Sequence, residues 1–272
     1  MMVESSIKYL ARSRAGSYIF ESIVNSSMRS TQTVKHNNKI LTFSTPNQVN
    51  RFRVASFSTK EPETLDWIDT IPADSVLWDV GANIGLYSCY AAKTLGIRVF
   101  AFEPSVFNLE LLARNIYLNQ LVDKVVIIPL PLSDSIKTST LNMTSTQWGG
   151  ALSSFGENYG DVGKALNKVF DFSSVGLSMD ETVGLLKIPP PTHIKIDVDG
   201  IEHLILLGGQ SVLQHVKEVA IEVNDDFHHQ VTSIHNYLSA AGLSFKWKRH
   251  AAMFDNSERF GRIYNQLWHR IK

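Results

Sequence analysis

Val76-Leu77-Trp78-Asp79-Val80-Gly81-Ala82-Asn83-Ile84-Gly85-Leu86 is the stretch on which the fold turns. Residues 76–80 are strand-length and apolar on both faces, as a parallel strand covered by helices reads. Gly81 and Gly85 then bring the chain through a tight turn, and residues 86–95 carry a helical pattern. Four further runs resemble the first strand: residues 99–102, 125–130, 193–198 and 219–223. Helical stretches separate them at 106–118, 202–216 and 232–241, the last ending at Gly242. Strand and helix in alternation predict an α/β, doubly wound Rossmann-like sheet, mostly parallel, with right-handed crossovers. Residues 244–248 and 266–271 predict an antiparallel C-terminal hairpin at one edge.

Outward from this core the chain divides in two. Residues 61–272 form the α/β domain. Residues 1–60 are a lead-in and a candidate cap. In it Ile7, Leu10, Ala11, Ala15, Tyr18, Ile19 and Ile23 fall near one helical face, followed by extended pieces at 39–44 and 51–58. The lead-in packs on the domain, or else covers substrate or touches a membrane surface through Lys8, Arg12 and Arg14. Residues 139–180 read as a long connection rich in glycine and aromatics, in which Trp148, Phe155 and Tyr159 are candidates to stack on a sugar ring or to pack the loop itself.

Composition narrows the function classes. Lys+Arg 26 balance Asp+Glu 26 over 272 residues, which disfavours a dedicated nucleic-acid binder. Cys89 is the single cysteine, so an intrachain disulfide and a thiolate cluster are both excluded. No run reaches the roughly 18 apolar residues of a membrane span. Residues 1–16 are broken by Glu4, Lys8, Arg12 and Arg14 and lack a signal-peptide core, so a cytoplasmic protein is expected.

The turn at Gly81 indicates what it can hold. A dinucleotide fingerprint would need glycine at Asn83 and Leu86, and a P-loop would need Lys-Ser/Thr after Gly85. S-adenosylmethionine (SAM) has no phosphate, and a short glycine turn with acids at neighbouring strand ends suits it. Asp79 can favour its ammonium, Glu103 can accept both ribose hydroxyls, and Ser133-Asp134 can meet the adenine amino group. On the fourth strand Lys195, Asp197 and Asp199 alternate onto one face. Asp197 is the first candidate to orient or deprotonate an acceptor, with Lys195 its partner or an alkoxide stabiliser. A divalent metal is a competing reading, with Asp197, Glu222 and Asp225 its candidate ligands and no diagnostic spacing to assign it. His228 and His229 are loop residues or a general base.

Six segments stand in order: 79–85, Phe102-Glu103-Pro104-Ser105, Leu132-Ser133-Asp134, Ser178-Met179-Asp180, residues 194–202 and Ile221-Glu222-Val223-Asn224. Together they resemble the FkbM-type methyltransferases, a branch of the class I SAM-dependent fold, over roughly residue 61 to the C-terminus. Asp199 departs from the glutamate usual there. The resemblance implies SAM as donor. Cofactor contacts are expected at Asp79, Gly81, Ala82, Asn83, Gly85, Glu103, Pro104, Ser133 and Asp134, and catalysis at Asp197, Lys195 and Asp199. It also implies transfer to a hydroxyl oxygen of a sugar, glycolipid or secondary metabolite. Rival classes are an NAD(P)-binding Rossmann oxidoreductase, a nucleic-acid methyltransferase and a non-catalytic module of the same fold. The glycine spacing counts against the first. For the second, Pro189-Pro190-Pro191 precedes the fourth strand, where an amino-methylating enzyme has its prolines after it.

Overall fold

A computed structural model describes residues 13–271. It opens with helix α1 (Arg14–Met28), capped by Ser13, and a hairpin of β1 (Thr31–His36) and β2 (Lys39–Ser44). Three helices follow: α2 (Gln48–Ala55), α3 (Phe57–Lys60) and α4 (Pro62–Thr70). The alternating core is β3 (Val76–Val80), α5 (Leu86–Leu95), β4 (Arg98–Phe102), α6 (Val106–Leu118) and β5 (Val125–Ile128). Then come β6 (Lys137–Met143), β7 (Ser153–Phe155), β8 (Phe170–Gly176), α7 (Met179–Leu186) and β9 (His193–Ile196). The chain continues through α8 (Glu202–Leu207), α9 (Gln210–Leu213), β10 (Glu218–Asn224), α10 (His228–Ala240), β11 (Leu243–Arg249) and β12 (Ile263–Arg270).

The principal sheet has seven strands in the order β11-β12-β10-β9-β3-β4-β5. The five from β10 to β5 run parallel, and β12 inserts antiparallel between β10 and β11. The antiparallel hairpin is present, with β12 as its inner strand. The strand order reverses between β3 and β9, so the ends of β3, β4 and β9 open onto one crevice. Both faces are covered: Trp78, Phe100, Phe102, Ile194 and Ile196 pack on one side, and Leu77, Val99, Ala101 and Tyr90 on the other.

Three segments differ from the sequence expectation. Residues 51–58 are helical in α2 and α3, not extended. Asn47 starts α2 by accepting the Asn50 N–H, and Val54 and Phe57 then reach the core at helical spacing. Residues 139–180 are not a bare connection, because β7-β6-β8 form a second, antiparallel sheet. Its strands are rich in Ser and Thr, so the apolar alternation that marks a strand is faint, yet Leu141, Met143 and Phe155 enter the core. The lead-in splits in behaviour: β2 buries Leu41 and Phe43 against α5 and α6, whereas α1 leaves Ala15, Tyr18, Ile19 and Ile23 exposed. Ile7, Leu10, Ala11, Lys8 and Arg12 lie outside the described residues.

Candidate active site

Gly81 leaves β3 at φ +85°, and a Cβ there would stand 1.8 Å from the Asp197 carbonyl oxygen. Only glycine lets β3 and β9 approach so closely. The Gly81 and Ala82 N–H groups both donate to the Phe102 carbonyl at 3.0 Å, which ties the turn to the neighbouring strand end. Gly85, at φ +81°, packs against Leu112 and starts α5.

Glu103 stands at the end of β4 and is buried. Its carboxyl accepts from the Asn83 N–H and the Ser105 N–H, each at 2.8 Å. Burial pushes its pKa up to about 7, against the pull of those two donors. Beside it opens a pocket walled by Gly81, Asn83, Glu103 and Pro104 on its polar side and by Leu130, Leu132 and Phe155 on its apolar side. A polar edge opposite an apolar slot fits a nucleoside.

Asp79 lies beneath the turn rather than on this wall. It is buried, accepts from the Ser88 hydroxyl through Oδ2, and leaves Oδ1 without a partner among the described residues. Burial raises its pKa against the opposing charge of Lys195. Ser133 and Asp134 do not line the cavity either. Ser133 is fully buried, with its N–H on the Leu177 carbonyl, and Asp134 is held by the Ser133 hydroxyl and by Lys137 at 2.6 Å. Ala82 borders a third, smaller pocket on the other side of Gly81, together with Lys60, Glu61, Tyr87 and Lys195.

At the end of β9, Lys195 donates to Asp197 Oδ2 at 2.8 Å and sits 5.0 Å from the Tyr87 ring centre. Burial opposes the Lys195 charge, but Asp197, Glu61 and Asp79 outweigh it and raise the pKa. Asp199, at φ +62°, accepts the Leu152 N–H at 2.7 Å. Burial, with Asp197 alongside, moves its pKa up to about 6. Glu222 on β10 completes a trio with Asp197 and Asp199, whose carboxylate oxygens lie within 4.8 Å of one another. Burial and then Asp197 push Glu222 well up. Hard oxygen ligands so placed suit a divalent cation. Asp225 is not in the trio, because Lys248 holds both its oxygens at 2.6 Å. His228 and His229 are exposed on α10 and line none of these pockets.

A second, larger cavity opens on the far side of the turn, between Phe52, Arg53, Glu222, His250 and Tyr264. Both chambers share Gly81, Asn83, Ala151, Asp197 and Asp199 as a common wall.

Sequence reading missed two parts of this site. One is the Lys60–Glu61 pair, 2.8 Å apart with Glu61 buried. Burial acts against the Glu61 charge, yet Lys60 and Lys195 bring its pKa down to about 2. The other is a clamp on residues 147–152. Asn47 and Asn50 each donate to the Trp148 carbonyl at 2.9 Å, and Arg53 Nε donates to the Gly149 carbonyl at 2.9 Å. Asn83 and Asn108 donate to the Gly150 carbonyl from below. The i, i+3, i+6 spacing of Asn47, Asn50 and Arg53 was the available signal. Trp148 remains half-buried at the surface, whereas Phe155 is core and Tyr159 packs edge-on against Phe227.

The sheet order, the glycine turn after β3 and the acid at the end of β4 define a class I methyltransferase fold. The FkbM methyltransferase domain matches residues 79–245, and the chain belongs to that family. It is 30% identical over 154 residues to the hexuronic acid methyltransferase AglP of Haloferax volcanii, covering 56% of this chain and 56% of that protein. It is 35% identical over 75 residues to the methyltransferase sdnD of Sordaria araneosa, covering 27% of this chain and 29% of that one. The matches thus span about half or less of these curated relatives. Among solved structures, the methyltransferase FkbM of Methylobacillus flagellatus aligns with TM-score 0.53 at 15% identity, over 81% of this chain and 52% of that chain. No helix of the described residues is long and apolar enough to cross a membrane.

Proposed function

We propose that the protein transfers a methyl group from SAM to a hydroxyl oxygen of a sugar-bearing or secondary-metabolite acceptor. One observation carries this reading: two chambers of different character share a wall at Asp197 and Asp199. The chamber beside Glu103 would hold the adenosine, with Glu103 on the ribose and Leu130, Leu132 and Phe155 around the base. The Lys60–Glu61 pair in the small pocket across Gly81 presents opposite charges to the amino-acid end. Bound SAM supplies an activated methyl group, so the protein has mainly to align the acceptor and take up its proton.

Asp197 faces the acceptor chamber and is the group that orients the hydroxyl. Lys195 holds that carboxylate in place. Asp199, with its pKa raised by burial to about 6, stands next to it and can receive the proton. AglP is a hexuronic acid methyltransferase, which favours a sugar acceptor.

Calorimetry with S-adenosylhomocysteine, followed by labelled-methyl transfer over saccharides, lipids and small alcohols, tests the proposal. Absence of nucleoside binding, or transfer only to nitrogen or carbon, would overturn it.

A further inference from the structure

Beyond the acceptor chamber, α2 and residues 146–148 enclose an open groove. Phe52, Phe107 and Trp148 supply its aromatic surface, and Gln48 and Gln147 stand among them. Val49 and Phe52 line both this groove and the acceptor chamber, so the two are continuous. Phe52 is 58% exposed.

The groove is built rather than incidental. The Trp148 carbonyl is held by two asparagine amides from α2, and the next residue, Gly149, donates its N–H to Asn108 Oδ1 at 3.0 Å. The backbone of Trp148 is thereby fixed, its side chain lines the groove together with Phe52, and its indole N–H has no partner among the described residues. Phe107 is steadied by an edge contact with Phe170 at 5.9 Å.

Its chemistry differs sharply from the chamber it joins. The chamber carries the acids Glu61, Glu63, Asp161, Asp197, Asp199 and Glu222 together with Arg53, Lys60 and Arg259, whereas among the described residues no ionisable side chain lines the groove. Acidic or basic peptides and nucleic acid would find no counter-charge there. A hydrocarbon tail would leave the amides of Gln48 and Gln147 without use. Aromatic faces beside primary amides suit a neutral pyranose, whose C–H face stacks on a ring while its hydroxyls meet amide donors and acceptors.

We infer that this groove is a second saccharide subsite, so that the acceptor is an oligosaccharide or glycan chain with one ring at Asp197 and the next seated on Trp148. The inference rests on the sugar-hydroxyl reading above and extends it to acceptor length.

Saturation-transfer NMR on protein loaded with S-adenosylhomocysteine tests it. The probes are glucose, galactose and mannose, each against its own di- and trisaccharides. In at least one series affinity should rise about tenfold from mono- to disaccharide. Trp148→Ala and, separately, Gln147→Ala should return the disaccharide to monosaccharide affinity, with S-adenosylhomocysteine affinity unchanged. The Gln147 side chain is exposed, so that second variant tests the groove without touching the core. Equal binding of mono- and oligosaccharides, retained preference in both variants, or no saccharide binding at all would overturn the subsite. Failure of S-adenosylhomocysteine to bind would instead overturn the methyltransferase reading on which it stands.

Discussion

Lys195 Nζ lies 2.8 Å from Asp197 Oδ2, and the two residues join the buried floor of the crevice to the wall between its chambers. Lys195 is buried and also faces Glu61 and Asp79, so its charge is compensated from three sides. Asp197, half-buried, is the member of the pair that can reach an acceptor. Asp197→Asn should lower kcat by about 10²-fold or more while S-adenosylhomocysteine affinity changes little. Single-turnover methyl transfer alongside calorimetry checks both halves. Undiminished transfer would remove Asp197 from the role.

With Glu103 on the ribose, as proposed, nucleoside binding should depend on pH. Its folded pKa is about 7, and its ionised form is the one that accepts from two hydroxyls. Binding therefore favours proton loss, and affinity should rise as pH climbs through 7. Glu103→Gln should weaken S-adenosylhomocysteine by about tenfold or more and flatten that dependence. Titrations from about pH 6 to about pH 8 on both proteins decide it.

Glu202 concerns stability rather than chemistry. It is buried, accepts from the Val198 and Gly200 N–H groups and from the Gln230 amide, and holds the loop after β9. Burial pushes its pKa up to about 8 from an ordinary 4.5. Between pH 4.5 and about 8 the folded protein thus retains a proton that the unfolded chain has lost, so this stabilisation is full below 4.5, declines across that window and is gone above about 8. Glu202→Gln should flatten the fall in melting temperature over that window, read by scanning fluorimetry across pH.

The parts of this fold that were legible in sequence share a physical cause. β3, β4 and β9 are covered on both faces, so their runs are apolar throughout and stand out without any knowledge of partners. Glycines 81 and 85 announce a turn that other residues could not make. The rest depended on tertiary contacts. The β6–β8 sheet is polar on its open side, α2 is short and half-exposed, and Lys60–Glu61 acquires meaning only once Lys195 folds beside it. Ser133 and Asp134, expected from sequence at a strand end, stand outside the cavity lining, with Asp134 paired to Lys137 and the Ser133 N–H on Leu177.

Gly81 admits a sharper test than any acid. Alanine there would meet both a positive φ and the Asp197 carbonyl at 1.8 Å, and relief would require β3 and β9 to separate. Gly81→Ala should cost about 3 kcal/mol or more in urea unfolding and abolish nucleoside binding in whatever folds. A variant of wild-type stability would refute the close approach.

The clamp from α2 makes the lead-in part of the site. Asn50 is fully buried, donates to both Asn47 Oδ1 and the Trp148 carbonyl, and presses against Gly149, which takes φ +79°. Asn50→Ala removes the amide and leaves the Trp148 carbonyl with Asn47 alone. The expected cost is about 1–3 kcal/mol, because a buried bond is lost rather than a surface one. Loosening should concentrate where the clamp acts, since segments held by few contacts open locally. Hydrogen exchange at residues 147–152 should quicken, while β3 and β4 exchange as before. Ala151 lines both chambers and Leu152 donates to Asp199, so the same variant should weaken S-adenosylhomocysteine binding and slow transfer together. Unchanged exchange at 147–152 would show that the loop holds its place without the N-terminal segment.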